Sequence, residues 1–138
     1  METKYVIVIQ CDIVRRRCSG FACTNTFYNR EDSFKDKDYD ENVRYIPMTC
    51  GGCCGAGLAS LLEHFSKRSA KQNGLKKEEV VVHLSSCMVT ENYHHDRCPH
   101  IDYIKALVKK KGYSRIVEGT YISQSAEKKR AAGIYKTY

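Results

Sequence analysis

The sequence predicts a three-layer α/β fold, Rossmann/flavodoxin-like, on a mostly parallel sheet of about four strands. Two observations carry that expectation. Short β-branched apolar runs, YVIVIQ and VVVHL, show no polar alternation, as strands buried on both faces require. Stretches of helical periodicity separate the runs, and strands alternating with helices argue for parallel pairing through crossovers.

Lys4 to Gln10 reads as the first strand and ends at Cys11. A loop with Cys18 and Cys23 follows, and Phe21, Phe27, Tyr28 and Phe34 suggest a loosely amphipathic helix. After the charged connector KDKDYDEN, Val43 to Met48 reads as a second strand. Pro47 makes it short or places it near an edge, because proline donates no ladder hydrogen bond. Residues 49–57, TCGGCCGAG, pack three cysteines and four glycines into nine positions. Leu58, Leu61, Leu62 and Phe65 then mark one face of a helix running to Lys71, and Asn73-Gly74 stops it.

Val80 to Leu84 is the third strand, followed by Ser85, Ser86 and Cys87. A polar loop, TENYHHDR, leads to Cys98-Pro99-His100, where proline suits the start of a helix that continues through Ile101, Ile104, Leu107 and Val108 to Gly112. Arg115 to Val117 begins a fourth strand. Residues 1–122 are expected to form one domain, and 123–138 a polar, basic tail, helical or frayed. Right-handed crossovers make 2-1-3-4 the simplest strand order. All strands of such a sheet end on one edge, where ligands bind. Cys11, Cys50 and Cys87 each lie just past a strand and Cys98 at a helix start, so cysteines distant in sequence should converge there.

A chain of 138 residues can bury a core unaided, so its eight cysteines exceed what packing needs. The opening METKYVIVIQCD has no cationic region before its short apolar run, and no segment reaches membrane-span length. The expectation is a cytoplasmic, reducing setting with no membrane partner, where clustered cysteines more often serve metal binding or catalysis than structural disulfides. The net charge of +7 comes from scattered runs, Arg15 to Arg17, Lys109 to Lys111 and Lys128 to Arg130. No nucleic-acid motif accompanies them, and a solvated surface explains them better than a polyanion partner.

Three chemistries compete for the cysteines. A metal site needs about four thiolate or imidazole donors, and Cys50-Gly-Gly-Cys53 offers a CxxC clip with glycines that let backbone amides turn to the sulfurs. A dithiol couple would use the same pair at a helix start, where thiol pKa values fall. Against it, surplus thiols would compete for exchange. Phosphate chemistry finds a formal match in the C-x5-R spacing of Cys11 to Arg17. Asp12 would repel the anion there, and Ile13 and Val14 are stiff where a cradle needs small residues.

Metal binding accounts for the most residues: Cys50 and Cys53 as the clip, with Cys11 and Cys87 from neighbouring strands. Cys98 and His100 stand as further ligands, or in a second centre with Cys18 and Cys23. His83, inside an apolar strand, reads as a hydrogen-bonded core residue or as a group orienting a thiolate. His94 and His95 read as solvated loop residues. Cys54 reads as a small buried hydrophobe, and Ser85 and Ser86 as caps of backbone groups. The metal is zinc or an iron–sulfur cluster, since both use cysteinyl sulfur.

Taken together, Cys11, the Cys18 and Cys23 loop, TCGGC (49–53), HLSSC (83–87), CPH (98–100) and VEGT (117–120) resemble the CGGC domain family, small prokaryotic proteins proposed to bind metal. The resemblance implies a cysteine- and histidine-rich metal centre, most often assigned to zinc, and brings no established reaction. Two positions depart from the family pattern. Cys54 stands where CGGCPG has proline, and Tyr121 where EGTH has histidine.

Overall fold

The computed structural model describes residues 2–52 and 54–138. Four parallel strands form its sheet: β1 (Tyr5–Gln10), β2 (Arg44–Thr49), β3 (Val80–Leu84) and β4 (Ile116–Glu118), in the order β2-β1-β3-β4. The order matches the simplest expectation, and β2, which carries Pro47, occupies an edge.

Alternation along each strand assigns its side chains to two cores. Ile7 and Ile9 of β1, with Val80, Val82 and Leu84 of β3, pack under α2 (Leu58–Asn73), where Leu58, Leu62 and Phe65 are buried. The short α3 (Ser86–Val89) and α4 (Ile101–Lys110) complete that layer through Met88, Val89, Ile101, Ile104 and Val108. Val6, Val8 and Val81 face the other way, toward Phe27 of α1 (Phe21–Asn29), Phe34, Tyr39 and Val43. Helices on both faces of the sheet give the three layers. The long helix stops where expected, with Gly74 left-handed at φ 62° closing its C-terminus.

Several local expectations change. The helix inferred from Phe21 to Phe34 ends at Asn29, because Arg30 turns left-handed at φ 56°. Phe34 reaches the core from a separate 3-10 turn and stacks edge-on against Phe27 at 5.4 Å. Phe21 and Tyr28 lie 69% and 81% exposed, so the aromatic residues of α1 do not form one buried face. Leu61 of α2 is 40% exposed. Pro99 precedes α4 rather than opening it, and His100 is the residue at its N-terminal boundary.

Residues beyond Ile122 form α5 (Gln124–Ala131), whose N-terminus is capped by the Ser123 hydroxyl accepting from the Ala126 amide. Ala126 is buried, and the end of this helix and the residues after it are tied to the loop from 91 to 97. Arg130 donates to the Glu91 carbonyl at 2.6 Å, and Lys136 and Tyr138 both reach the Asp96 carboxylate, at 3.0 and 2.6 Å. Between α5, α1 and the ends of β1, β3 and β4 lies a cavity of about 600 Å³.

Candidate functional site

The strand register brings distant cysteines to one edge. Gln10 pairs with Thr49, and the Cys50 amide donates to the Gln10 carbonyl at 3.1 Å, so the register runs one residue past the strands and sets Cys50 beside Cys11. Parity puts both on the α2 and α4 face: Cys11 follows Ile7 and Ile9, and Cys50 follows Ile46 and Met48. On the other side of β1, the Ser85 amide donates to the Ile9 carbonyl at 2.9 Å and carries the chain to Cys87. Cys11, Cys87 and Cys98 all pack on the core cluster that contains Cys50.

Cys87 is held closely. Its sulfur lies 3.0 Å from the Ser85 hydroxyl. Burial pushes its thiol pKa up, while the Ser85 hydroxyl and the Cys11 backbone N–H act in the opposite sense by favouring the thiolate. Cys98 accepts a contact from the His100 backbone amide at 3.5 Å, and its own amide donates to the Met88 carbonyl at 2.8 Å. The Cys50 thiol is buried and turned toward the Gly52 carbonyl, 3.9 Å away. Cys53, the partner in the clip inferred from sequence, lies outside the described residues.

The glycines of this segment serve a backbone crossing. Gly51 is left-handed at φ 81°, and a Cβ there would stand 2.6 Å from the Cα of Gly57. A Cβ on Gly57 would stand 2.9 Å from the Cα of Gly51. The two positions pack back to back, folding the segment over itself between β2 and α2. Since α2 begins at Leu58, Cys50 does not open a helix, as a helix-activated dithiol would require.

The polar loop predicts a solvated His95, whereas the structure half-buries it against a cysteine. Its Nε2 lies 3.4 Å from Cys11 Sγ, and its Nδ1 lies 2.6 Å from the Asp96 carbonyl. A carbonyl only accepts, so Nδ1 donates to it, and Nε2 is the ring nitrogen that faces the sulfur. The only hint in the sequence was its place in a polar loop between two cysteines. His94 lines the cavity instead, where burial, helped by Arg17 and His95, lowers its pKa.

His83 sits on the opposite face from Cys11 and Cys50, with both ring nitrogens engaged. Nδ1 donates to the Gly119 carbonyl at 2.9 Å, which leaves Nε2 to accept from the Tyr39 hydroxyl at 2.7 Å. Burial lowers its pKa to about 4, so the ring is neutral at physiological pH. It acts as a hydrogen-bonded core residue. Cys18 and Cys23 lie on the walls of the cavity, with Cys23 Sγ 3.3 Å from the Thr120 hydroxyl. The chain after Cys11 curls into a 3-10 turn. The Arg15 amide donates to Cys11 O and the Cys18 amide to Val14 O, so this loop does not form a phosphate cradle.

Thiolate sulfur and a neutral imidazole are the donor types that zinc and iron–sulfur clusters take. His95 also carries the carbonyl partner that usually fixes the tautomer of a metal-binding histidine. The fit to a metal lies in this donor chemistry and shared edge. Among the described residues, no three Cys, His, Asp or Glu side chains converge as a ready ligand set.

The architecture and its edge define a parallel α/β domain with cysteines gathered at the carboxyl ends of its strands. The chain belongs to the CGGC domain family, whose model matches residues 5–121. No curated protein and no solved structure gives a significant match. Among the described residues, no helix is long and apolar enough to cross a membrane.

Proposed function

We propose that this protein binds a thiophilic metal, zinc before an iron–sulfur cluster, at the carboxyl edge of its sheet. Cys11, Cys50, Cys53 and Cys87 are its principal ligands. His95 joins them, and Cys98 and His100 border the same edge. Cys18 and Cys23 belong to the neighbouring cavity. The observation that carries the reading is the meeting of Cys11 with His95 Nε2 at 3.4 Å, beside the register that aligns Cys11 with Cys50. Bound zinc would supply a structural anchor or, with a position left open, a Lewis acid. The chain's own part is to hold thiolates at the ends of three elements and to keep the His95 imidazole in the tautomer that offers Nε2. A reducing compartment such as the cytoplasm suits such thiols.

The second reading is dithiol chemistry through Cys50 and Cys53, with the His95 imidazole set against Cys11, the neighbour of Cys50 in register, rather than against either member of the pair. The start of α2 at Leu58 weakens it, because among the described residues no helix begins at Cys50 to stabilise its thiolate.

Elemental analysis of anaerobically purified protein, with a visible spectrum of the same sample, tests both. About one or more zinc per chain without colour supports the zinc reading. Iron with matching sulfide and visible absorption supports a cluster. Neither metal, with all eight thiols free, removes the metal reading and favours the dithiol one.

A further inference from the structure

We propose that residues Lys136 to Tyr138 form an electrostatic latch over the cavity between α1 and α5. Closed, the latch covers one rim of the cavity and, through Asp96, holds His95 against Cys11. Released, it opens the thiols of Cys18, Cys23 and Cys87 to solutes and frees the His95 imidazole. The latch itself stands without a metal, and only its control over metal binding rests on the reading above. It lies beyond residue 121, where the match to the family model ends.

The first support is how lightly this segment is held. α5 itself is anchored by the buried Ala126 and by Arg130 on the Glu91 carbonyl. The chain then turns at Gly133, left-handed at φ 75°, where a Cβ would meet nothing within 4 Å. The Ile134 and Tyr135 amides both donate to the Lys129 carbonyl, at 2.8 and 3.2 Å. Beyond them, among the described residues, the hold comes from the loop 91–97. The Lys136 amide donates to Glu91 Oε2 at 2.6 Å, Lys136 Nζ pairs with Asp96 Oδ2 at 3.0 Å, and the Tyr138 hydroxyl donates to Asp96 Oδ1 at 2.6 Å. The Arg97 guanidinium lies 5.5 Å from the centre of the Tyr138 ring. The side chains of Lys136 and Asp96 are 67% and 42% exposed, and Tyr138 is 62% exposed. Exposed ties of this kind each stabilise little, and salt screens them. The segment therefore belongs to the least stable part of the fold and opens without disturbing the core.

The second support is what the latch joins. Asp96 faces two ways. Its carboxylate takes Lys136 and Tyr138, while its carbonyl accepts from His95 Nδ1 at 2.6 Å. The ends of the loop are tethered to the domain independently, Asn92 to the Ser86 carbonyl at 3.1 Å and Arg97 to the Val89 carbonyl at 3.0 Å. Between those tethers the latch grips the residue that fixes His95. The third support is the cavity itself. Tyr138 lines it and is also largely exposed, so its ring stands at the rim. Cys18, Cys23 and Cys87 line the same space, and about 600 Å³ admits a small solute. Cys87 also packs on the core cluster beside Cys11 and Cys50, so the cavity reaches the back of the cysteine edge. One release thus acts on both: it uncovers thiols on one side and loosens the imidazole on the other.

The test uses full-length, reduced, metal-free protein. Labelling by iodoacetamide is followed cysteine by cysteine by mass spectrometry, in about 0.02 M and about 0.5 M sodium chloride. Cys54, which does not line the cavity, is the internal reference. In the wild type, Cys18 and Cys23 should label about threefold faster or more at high salt, relative to Cys54. In the double variant Lys136→Gln, Tyr138→Phe they should label at the fast rate in both salts, at an unchanged melting temperature. The imidazole nitrogen resonances of His95 should move in that variant toward those of a free histidine. Equal labelling of Cys18 and Cys23 in the variant and in the wild type at low salt, or an unmoved His95 signal, would overturn the latch. If the variant melts lower, the wild-type salt series decides: a rise confined to Cys18 and Cys23 supports the latch, and a rise shared by Cys54 overturns it. Chelator competition on the metal-loaded protein keeps the two readings apart. Freed thiols and a moved His95 signal with unchanged metal affinity would leave the latch standing and remove its control over the metal.

Discussion

His95 Nε2 and Cys11 Sγ lie 3.4 Å apart, although 84 residues separate them in the chain. Cys11 is placed by the end of β1, and His95 by a loop held to the Asp96 carbonyl and by the residues after α5 that grip Asp96. The pairing yields the first prediction. His95→Ala and Cys11→Ser should each lower metal affinity by about 10–100-fold or more, the scale seen when a group supporting a metal site is lost. Competition with a chromogenic chelator reads this directly. Wild-type affinity in both variants would remove the pair from the site.

The clip gives a related prediction. Cys53→Ser should lower both metal content and melting temperature, since binding energy at such sites is also folding energy. An unchanged metal stoichiometry in that variant would take Cys53 out of the ligand set.

His83 makes stability depend on pH. Its folded pKa is held near 4 by burial, against 6.5 unfolded, with the Gly119 carbonyl opposing the shift and Lys37 adding slightly to it. Between those values the unfolded chain binds the extra proton. The neutral ring's contribution is thus complete above about pH 6.5 and lost as pH falls toward 4, on the order of 3 kcal/mol in all. Chemical denaturation across that range should show the slope in the wild type and a flatter profile in His83→Gln. Tyr39→Phe, which leaves the buried Nε2 without a donor, should cost about 1–3 kcal/mol while leaving metal content unchanged.

Gly51 and Gly74 separate two reasons for a glycine. Both are left-handed, at φ 81° and 62°, but a Cβ on Gly74 meets nothing within 4 Å, whereas one on Gly51 would strike the Gly57 backbone. Gly74→Ala should therefore cost only the left-handed strain, about 1–2 kcal/mol. Gly51→Ala adds an overlap that flexible side chains cannot relieve, so its melting temperature should fall further. Equal losses would show that the crossing tolerates a methyl group.

The four strands and the long helix were legible because their signals are local. An unbroken β-branched run such as VVVHL has to be buried on both faces, and Leu58, Leu62 and Phe65 recur at helical spacing. Parallel order followed from connection handedness and from Pro47, which belongs at an edge. The course of α1 was less legible, because four aromatic residues look alike in sequence whether they face the core, as Phe27 does, or solvent, as Tyr28 does.

Within the candidate site, the positions of Cys11, Cys50 and Cys87 past strand ends were readable from the chain, since a parallel sheet gathers its carboxyl ends. By itself the sequence determined the elements, their alternation and the family. Tertiary structure alone decided that His95 rather than His83 meets a cysteine. The physical reason is that strand parity and element order are properties of neighbouring residues. The partner of a loop imidazole or a buried amide is chosen only when distant segments close over it.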